Sequence, residues 1–201
     1  GHKLTGIELV GGMLERAKEK MQGLGEHFRN NAVLIHDDIL RTDWGSGYDL
    51  VIIGCNAFYE LPSPDIQEAC IQRGFDALAP GGYLFIDSND YKGNWGSISC
   101  EVERVIFEGT LSDGSYAQMI LKHDSFDDKE NILDFTHKVV VKTPDGKEQT
   151  FSYSRSKHPV TADEVKSWLD KHSFNILNIF GDFKGNPYHK DSNRAIFWAQ
   201  K

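Results

Sequence analysis

Leu4-Thr5-Gly6-Ile7-Glu8-Leu9, followed closely by Met13-Leu14-Glu15-Arg16-Ala17-Lys18, decides the fold class. A short apolar strand that ends in a carboxylate and opens into a helix is part of a nucleotide-binding β-α-β unit, where the acid receives ribose hydroxyls. In such a unit the glycine-rich phosphate turn lies roughly 20 residues before the acid. Here only Gly1 through Ile7 precede Glu8. The chain therefore reads as N-terminally incomplete, with Gly1-His2 taken as a native lead into the strand.

The same grammar recurs downstream. Leu50-Val51-Ile52-Ile53 and Tyr83-Leu84-Phe85-Ile86 are short, nearly continuous apolar runs, the pattern of parallel strands buried on both faces by helices. Met13, Leu14, Ala17 and Met21 recur at helical intervals, and Val33-Leu34-Ile35 predicts a further strand before His36-Asp37-Asp38. Ile66 to Ile71 with Phe75, Ala77 and Leu78 predicts a helix, stopped by the turn Ala79-Pro80-Gly81-Gly82.

After Asp87 the texture changes. Strand-like runs Ile98 to Phe107, Ala117 to His123, Ile132 to Lys142 and Thr150 to Ser154 alternate with Ser112-Asp113-Gly114, Asp127-Asp128-Lys129-Glu130 and Pro144-Asp145-Gly146. These are hairpin signals. Thr161-Ala162-Asp163-Glu164 has the form of a capping box and starts a helix. Two closing strands follow, Asn175 to Gly181 and Arg194 to Ala199. The fold class is α/β: a Rossmann-like, mostly parallel sheet with an antiparallel β insertion. Residues 1–92 make a partial core, 93–157 the insertion able to cover a ligand crevice, and 158–201 the closing helix and strands.

Composition narrows the function classes. At 201 residues the chain can bury a core without a disulfide scaffold. Three cysteines with no CxxC pair indicate reduced thiols and a cytoplasmic setting, and argue against a zinc site. With 22 basic and 30 acidic residues the net charge is -8, which gives no general attraction for nucleic acid. No apolar stretch approaches the roughly 20 residues of a membrane helix.

Open α/β sheets bind ligands outside the carboxyl ends of their strands. Four segments fall there. Glu8, with Leu9 beside it, offers a carboxylate to ribose; the alternative is an acid favoured by a helix N-terminus. Asp38-Ile39 offers a carboxylate for an adenine amino group and an apolar face for the ring; the alternative is an Asx turn, with Asp37 competing for the role. Gly54-Cys55-Asn56-Ala57-Phe58 carries no charged side chain. Asn56 presents an amide to a substrate amine or carboxylate, or is a turn asparagine. Cys55 has no His or acid motif to activate it as a nucleophile. In Asp87-Ser88-Asn89-Asp90-Tyr91, Asp87 reads as structural and Asn89 or Tyr91 as facing substrate.

The ordered set Gly6-Ile7-Glu8, Asp38-Ile39, Tyr48-Asp49-Leu50-Val51 and Leu78-Ala79-Pro80-Gly81-Gly82 resembles the core of class I S-adenosylmethionine-dependent methyltransferases. The carboxyl-terminal half is similar to glycine and sarcosine N-methyltransferases in Phe151-Ser152-Tyr153-Ser154, His158, Asn178 through Lys184, and Ala195-Ile196-Phe197-Trp198. Cys55-Asn56-Ala57-Phe58 with Leu61-Pro62, and Ile86 through Tyr91, share that likeness. The resemblance implies S-adenosylmethionine as cofactor and S-adenosylhomocysteine as product. It assigns the cofactor to Glu8, Leu9, Asp38, Ile39, Cys55, Asn56 and Phe58. It assigns a small amine acceptor such as glycine or sarcosine to Asn56, Asn89, Tyr91, Tyr153 and Arg155, with Asn56 as the candidate catalytic residue.

One departure matters. The family places an arginine just after the fourth visible strand to pair with the acceptor carboxylate, and Asn89 stands there in this chain. An amide cannot replace a bidentate guanidinium. Arg155 either supplies that charge from another direction or is a surface cation on a hairpin edge, and Tyr91 and Tyr153 are split between substrate wall and core. His158 reads as a loop histidine. Two other readings are a regulatory protein that binds the cofactor without turnover and, less well supported, an NAD-dependent oxidoreductase. Because the glycine turn is missing from the stretch before Glu8, this chain is expected to bind the methyl donor poorly or not at all.

Overall fold

A computed structural model describes residues 2–92, 100 and 102–201. Its contacts divide the chain into two compact units, Gly1–Gly47 and Tyr48–Lys201. The first contains β1 (Leu4–Glu8), α1 (Gly11–Gln22), α2 (Glu26–Asn30) and β2 (Ala32–His36). β1 and β2 pair in parallel, Gly6 opposite Leu34 and Glu8 opposite His36. A side chain at Gly6 would press on Leu34 Cδ2 at 3.0 Å, so glycine lets that leucine close over the strand. Leu14 is the α1 residue buried below, at 3% exposure. The carbonyls of Gln22, the last residue of α1, and of Leu24 just past it accept from Arg29 Nη1 of α2 at 3.1 and 2.7 Å. That bond satisfies groups a helix end leaves open, and it explains a short helix that no sequence signal announced.

The second unit begins with β3 (Tyr48–Ile53), α3 (Pro64–Ala77) and β4 (Leu78–Asn89). Four antiparallel strands follow: β5 (Glu103–Thr110), β6 (Tyr116–Asp127), β7 (Ile132–Lys142) and β8 (Glu148–Lys157). The chain closes with α4 (Ala162–Lys171), β9 (Asn175–Phe180) and β10 (Arg194–Gln200). One sheet has the order β3-β4-β10-β9, with β3 parallel to β4 and β10 antiparallel to both neighbours. The other has the order β5-β6-β7-β8. The expected strand from Ile98 starts outside the described residues.

β4 corrects one expectation. Ala79-Pro80-Gly81-Gly82 does not precede the strand but is looped out within it. Tyr48 pairs with Leu78, and Leu50 pairs with Tyr83. The chain terminus closes the bulge: Gly81 N donates to Lys201 O at 3.1 Å, and Lys201 N to Gly82 O at 2.9 Å. Gly81 is left-handed at φ 79°. At Gly82 a Cβ would lie 2.9 Å from Tyr48 O and 3.0 Å from Ala79 O, so only glycine permits this approach.

The core of this unit joins Leu84, Ile86, Phe197, Ile71, Cys70 and Leu169, all fully buried. Each large aliphatic or aromatic side chain there gains roughly 1.5–3 kcal/mol over an exposed one. Val51 faces α3, lying 3.9 Å from where a Cβ on Gly74 would stand. Period-two alternation then turns Leu50 and Ile52 the other way, and they are 40% and 62% exposed. The expectation of burial on both faces therefore fails for β3. It fails also for β1 and β2, where Leu4 and Val33 are exposed.

The capping box is formed as the sequence predicts. Thr161 Oγ1 accepts from Glu164 N at 3.1 Å, and Glu164 Oε2 accepts from Thr161 N at 2.7 Å. Asp90 Oδ1 takes the next orphan donor, Ala162 N, at 2.9 Å. The antiparallel sheet alternates along β7 and β8, with register shifts at Val105/Phe107 and His123/Ser125. Lys122, Asp124, Thr136 and Ser154 form a hydrogen-bonded polar face. Phe135, His137, Tyr153, Arg155 and Lys157 share the opposite one, as their cross-strand pairing requires.

Candidate functional site

In the first unit both singled-out carboxylates stand at carboxyl ends of parallel strands, as predicted. Glu8 Oε1 accepts from Val10 N at 2.8 Å, where α1 begins, while Glu8 O accepts from Asp37 N at 3.2 Å. Leu9 is exposed, and its carbonyl lies 3.1 Å from His36 Nε2. Asp38 Oδ1 accepts from Leu40 N at 2.9 Å, which is an Asx turn, and Oδ2 lies 3.8 Å from Arg41 Nε. Ile39 is half-buried, its carbonyl held by Trp44 Nε1 at 2.8 Å. Asp37 is occupied locally: the Thr42 hydroxyl, then the Asp38 N–H, hold its carboxyl below the usual carboxylate range. A cleft of about 310 Å³ lined by Lys18, Met21, Arg29 and Leu34 opens elsewhere on this unit and includes neither Glu8 nor Asp38.

In the second unit the strongest signal lies at the carboxyl end of β3. Cys55 and Asn56 are consecutive non-glycine residues with positive φ, 55° and 62°. Each left-handed residue costs on the order of 1–2 kcal/mol, and such strain concentrates at functional sites. Two bonds hold the turn: Ala57 N donates to Gly54 O at 3.1 Å, and Asn56 Oδ1 accepts from Asn89 N at 2.7 Å. Cys55 is exposed and Asn56 half-buried.

Phe58 departs from its assignment to the cofactor. It is fully buried, 6.3 Å from the Trp168 ring of α4, and has no surface left for a ligand. The residues after it engage the antiparallel sheet instead. Glu60 accepts from Arg155 Nη2 and Lys157 Nζ, both at 3.1 Å, and Lys157 also lies 5.0 Å above the Tyr59 ring. Burial raises the Tyr59 phenol well above its ordinary range.

Tyr153 and Arg155 lie on the same face of β8, beside His137 and Phe135 of β7. Tyr153 stacks on His137 at 5.1 Å, and Arg155 lies 5.5 Å from the Phe135 ring. His137 Nδ1 is buried without a hydrogen-bond partner. Burial, then the Arg155 cation, holds this imidazole below the ordinary histidine range. Asn89 ends β4, and Tyr91 N donates to Val160 O at 2.9 Å. Asp87 is structural, as predicted, buried against Arg194. Glu60 and His137 were missed in the sequence because nothing local marks them: Glu60 meets residues 95 and 97 positions away.

Among the described residues no group of three or more His, Cys, Asp or Glu side chains is arranged to hold a metal. Among the described residues no helix is long and apolar enough to cross a membrane.

The fold is the class I Rossmann-like α/β fold of S-adenosylmethionine-dependent methyltransferases, with its mixed central sheet. An S-adenosylmethionine-dependent methyltransferase from Clostridium acetobutylicum ATCC 824 matches 98% of this chain and 74% of its own, with a TM-score of 0.76 at 15% identity. The sugar N-methyltransferase KedS8 from Streptoalloteichus sp ATCC 53650 matches 98% of this chain and 70% of its own, with a TM-score of 0.68 at 15% identity. In sequence, a Geobacillus sp. (strain WCH70) protein provisionally named a methyltransferase is 24% identical over 206 residues, covering all of this chain and 76% of that protein. No protein-family model matches the chain.

Proposed function

We propose that the protein is an S-adenosylmethionine-dependent methyltransferase that methylates the nitrogen of a small, amine-bearing acceptor. The observation that carries this reading is the strained Cys55-Asn56 turn at the carboxyl end of β3, in a chain with a methyltransferase fold. Glu8 and Asp38 are the candidates for the ribose and the adenine amino group, with Leu9 and Ile39 as apolar neighbours. Cys55 and Asn56 are the candidates to border the reacting methyl, and Asn56 is the candidate catalytic residue.

When bound, the donor supplies an electrophilic methyl group. What remains for the protein is position. A neutral amine is already a nucleophile, and holding it in line at near-attack distance contributes several kcal/mol. No Asp, Glu, Lys or Arg lies between Gly54 and Tyr59, so no charged side chain of that turn competes for a cation. Asn89, Tyr91, Tyr153 and Arg155 are the candidates for the acceptor, and the antiparallel sheet is the candidate cover. Glycine or sarcosine as acceptor rests on the sequence resemblance, whereas the likeness to KedS8 supports an amino sugar. The cysteines Cys55, Cys70 and Cys100 form no disulfide, which supports a cytoplasmic setting.

The test is transfer of labelled methyl from S-adenosylmethionine by the full-length protein to glycine, sarcosine and a set of amino sugars, with calorimetry of its S-adenosylhomocysteine binding. Transfer to an amine is the expected result. Absence of S-adenosylhomocysteine binding would overturn the cofactor assignment, and binding without transfer would favour a regulatory role.

A further inference from the structure

His158 is placed where it holds the turn after β3 to three other parts of the second unit. It is 2% exposed, and both of its ring nitrogens have a hydrogen-bond partner. Its backbone N donates to Leu61 O at 2.8 Å. Its Nδ1 lies 2.7 Å from Gln67 Oε1, which can only accept, so the proton sits on Nδ1. Gln67 Nε2 then donates to Phe58 O and to His158 O, both at 3.0 Å, using both amide hydrogens. The remaining ring nitrogen, Nε2, accepts from Asn131 Nδ2 at 3.3 Å, and Asn131 also donates to Pro159 O at 2.9 Å. Asn131 belongs to the β6–β7 turn, with φ 52°.

His158 and Gln67 together thus link α3, the β6–β7 turn of the antiparallel sheet, and the carbonyls of Phe58 and Leu61. Those carbonyls stand two and five residues beyond Asn56. Glu164 Oε1 is the charged group facing the ring, 3.5 Å from Nε2. Gln67, Asn131 and Glu164 are the polar side chains that meet the ring from the elements packed on it. Protonation would put a hydrogen on Nε2, release Asn131 and turn the ring toward Glu164. Burial works against that state more strongly than Glu164 favours it, so the imidazole stays neutral near pH 7.

We propose that Gln67 and His158 are positioning residues for methyl transfer, setting the Cys55-Asn56 turn from behind and tying it to the antiparallel sheet. This rests on the methyltransferase reading above. The pair touches neither substrate nor cofactor. It fixes the second half of the loop whose first half carries the strained residues, and it joins that loop to the sheet bearing Tyr153 and Arg155. Sheet and turn are therefore expected to move together.

Three variants test this. Asn131→Gly keeps the left-handed backbone and removes the Nε2 partner together with the bond to Pro159 O. His158→Asn keeps a donor at the Nδ1 position but cannot titrate. Gln67→Leu removes both carbonyl clamps. Asn131→Gly and His158→Asn are expected to lower kcat about 10-fold with S-adenosylhomocysteine affinity within about 2-fold of wild type. Gln67→Leu is expected to be at least as severe. In His158→Asn the acid limb of the kcat profile that titrates with the imidazole should disappear, and amides 56–61 should exchange faster while those of α1 do not change.

Asn131→Gly and His158→Asn are the milder changes and keep the test open should Gln67→Leu fail to fold. Folded variants with wild-type kcat, pH profile and exchange would overturn this inference while leaving the methyltransferase reading intact. A wild-type chain that transfers to no amine would overturn both.

Discussion

Asn56 Oδ1 accepts the backbone N–H of Asn89 at 2.7 Å, so one side chain joins the turn after β3 to the end of β4. Asn56 also occupies a left-handed conformation that asparagine tolerates better than most residues. The two contributions separate by substitution. Asn56→Gly keeps the backbone and loses the hydrogen bond, for an expected loss of about 1 kcal/mol. Asn56→Ala adds the left-handed penalty, for about 2 kcal/mol or more in total. Urea unfolding measures both, and methyl transfer should fall in both. Equal stability of the two variants would mean that the turn is not strained.

Glu8→Gln asks whether the carboxylate serves a ligand or only the start of α1. The bond its side chain accepts from Val10 N can also be made by an amide oxygen. Stability should therefore shift by no more than about 0.5 kcal/mol. Loss of charge at a ribose site should raise the S-adenosylhomocysteine Kd by about 10-fold, equivalent to ~1.4 kcal/mol. Calorimetry reads the difference. Unchanged affinity would leave Glu8 as a helix-terminal acid.

The Glu60–Arg155 pair is 3.1 Å long, with side chains 30% and 49% exposed. Pairs this open to water contribute less than about 1 kcal/mol, and Lys157 stays on Glu60 when Arg155 is removed. Arg155→Met should leave the unfolding free energy within about 1 kcal/mol of wild type. If Arg155 binds an anionic part of the acceptor, KM for that acceptor rises about 10-fold with kcat little changed. A constant KM would return Arg155 to the role of a sheet-edge cation.

Three histidines set the acid sensitivity. Burial pushes His123, His137 and His158 below the ordinary histidine range. The unfolded chain then takes up protons near pH 6.5 while the folded chain does not. Stability is therefore present above that pH and is lost as pH falls toward the folded-state values. Urea midpoints between pH 8 and pH 5 should show the slope, and His158→Asn should flatten part of it. The lowered carboxyl of Asp37 acts in a separate window, below the ordinary aspartate value.

Local signals carried most of the fold. The apolar runs, the capping box at Thr161 and the turn residues Gly114 and Gly146 need only their neighbours to be read, and all three kinds are present in the structure. Expectations failed where a distant segment decided the outcome. Ala79 to Gly82 became a bulge because the terminal Lys201 closes it, and Leu50 and Ile52 are exposed because α3 covers only the other face of β3. Asn56 was recognisable from its place after a strand, but its left-handed backbone and its bond to Asn89 were not. His158 appeared to be a loop residue in sequence because its partner Gln67 lies 91 positions away.

Gly82 has a practical consequence. A Cβ there would stand 2.9 Å from Tyr48 O of β3 and 3.0 Å from Ala79 O within the bulge of β4, so even one methyl group would force these backbones to shift. Gly82→Ala alters none of the residues assigned to chemistry. It is thus suited to serve as a loss-of-function allele in complementation, one that reports collapse of the scaffold and so calibrates how much of any defect at Asn56 or Glu8 belongs to the site itself.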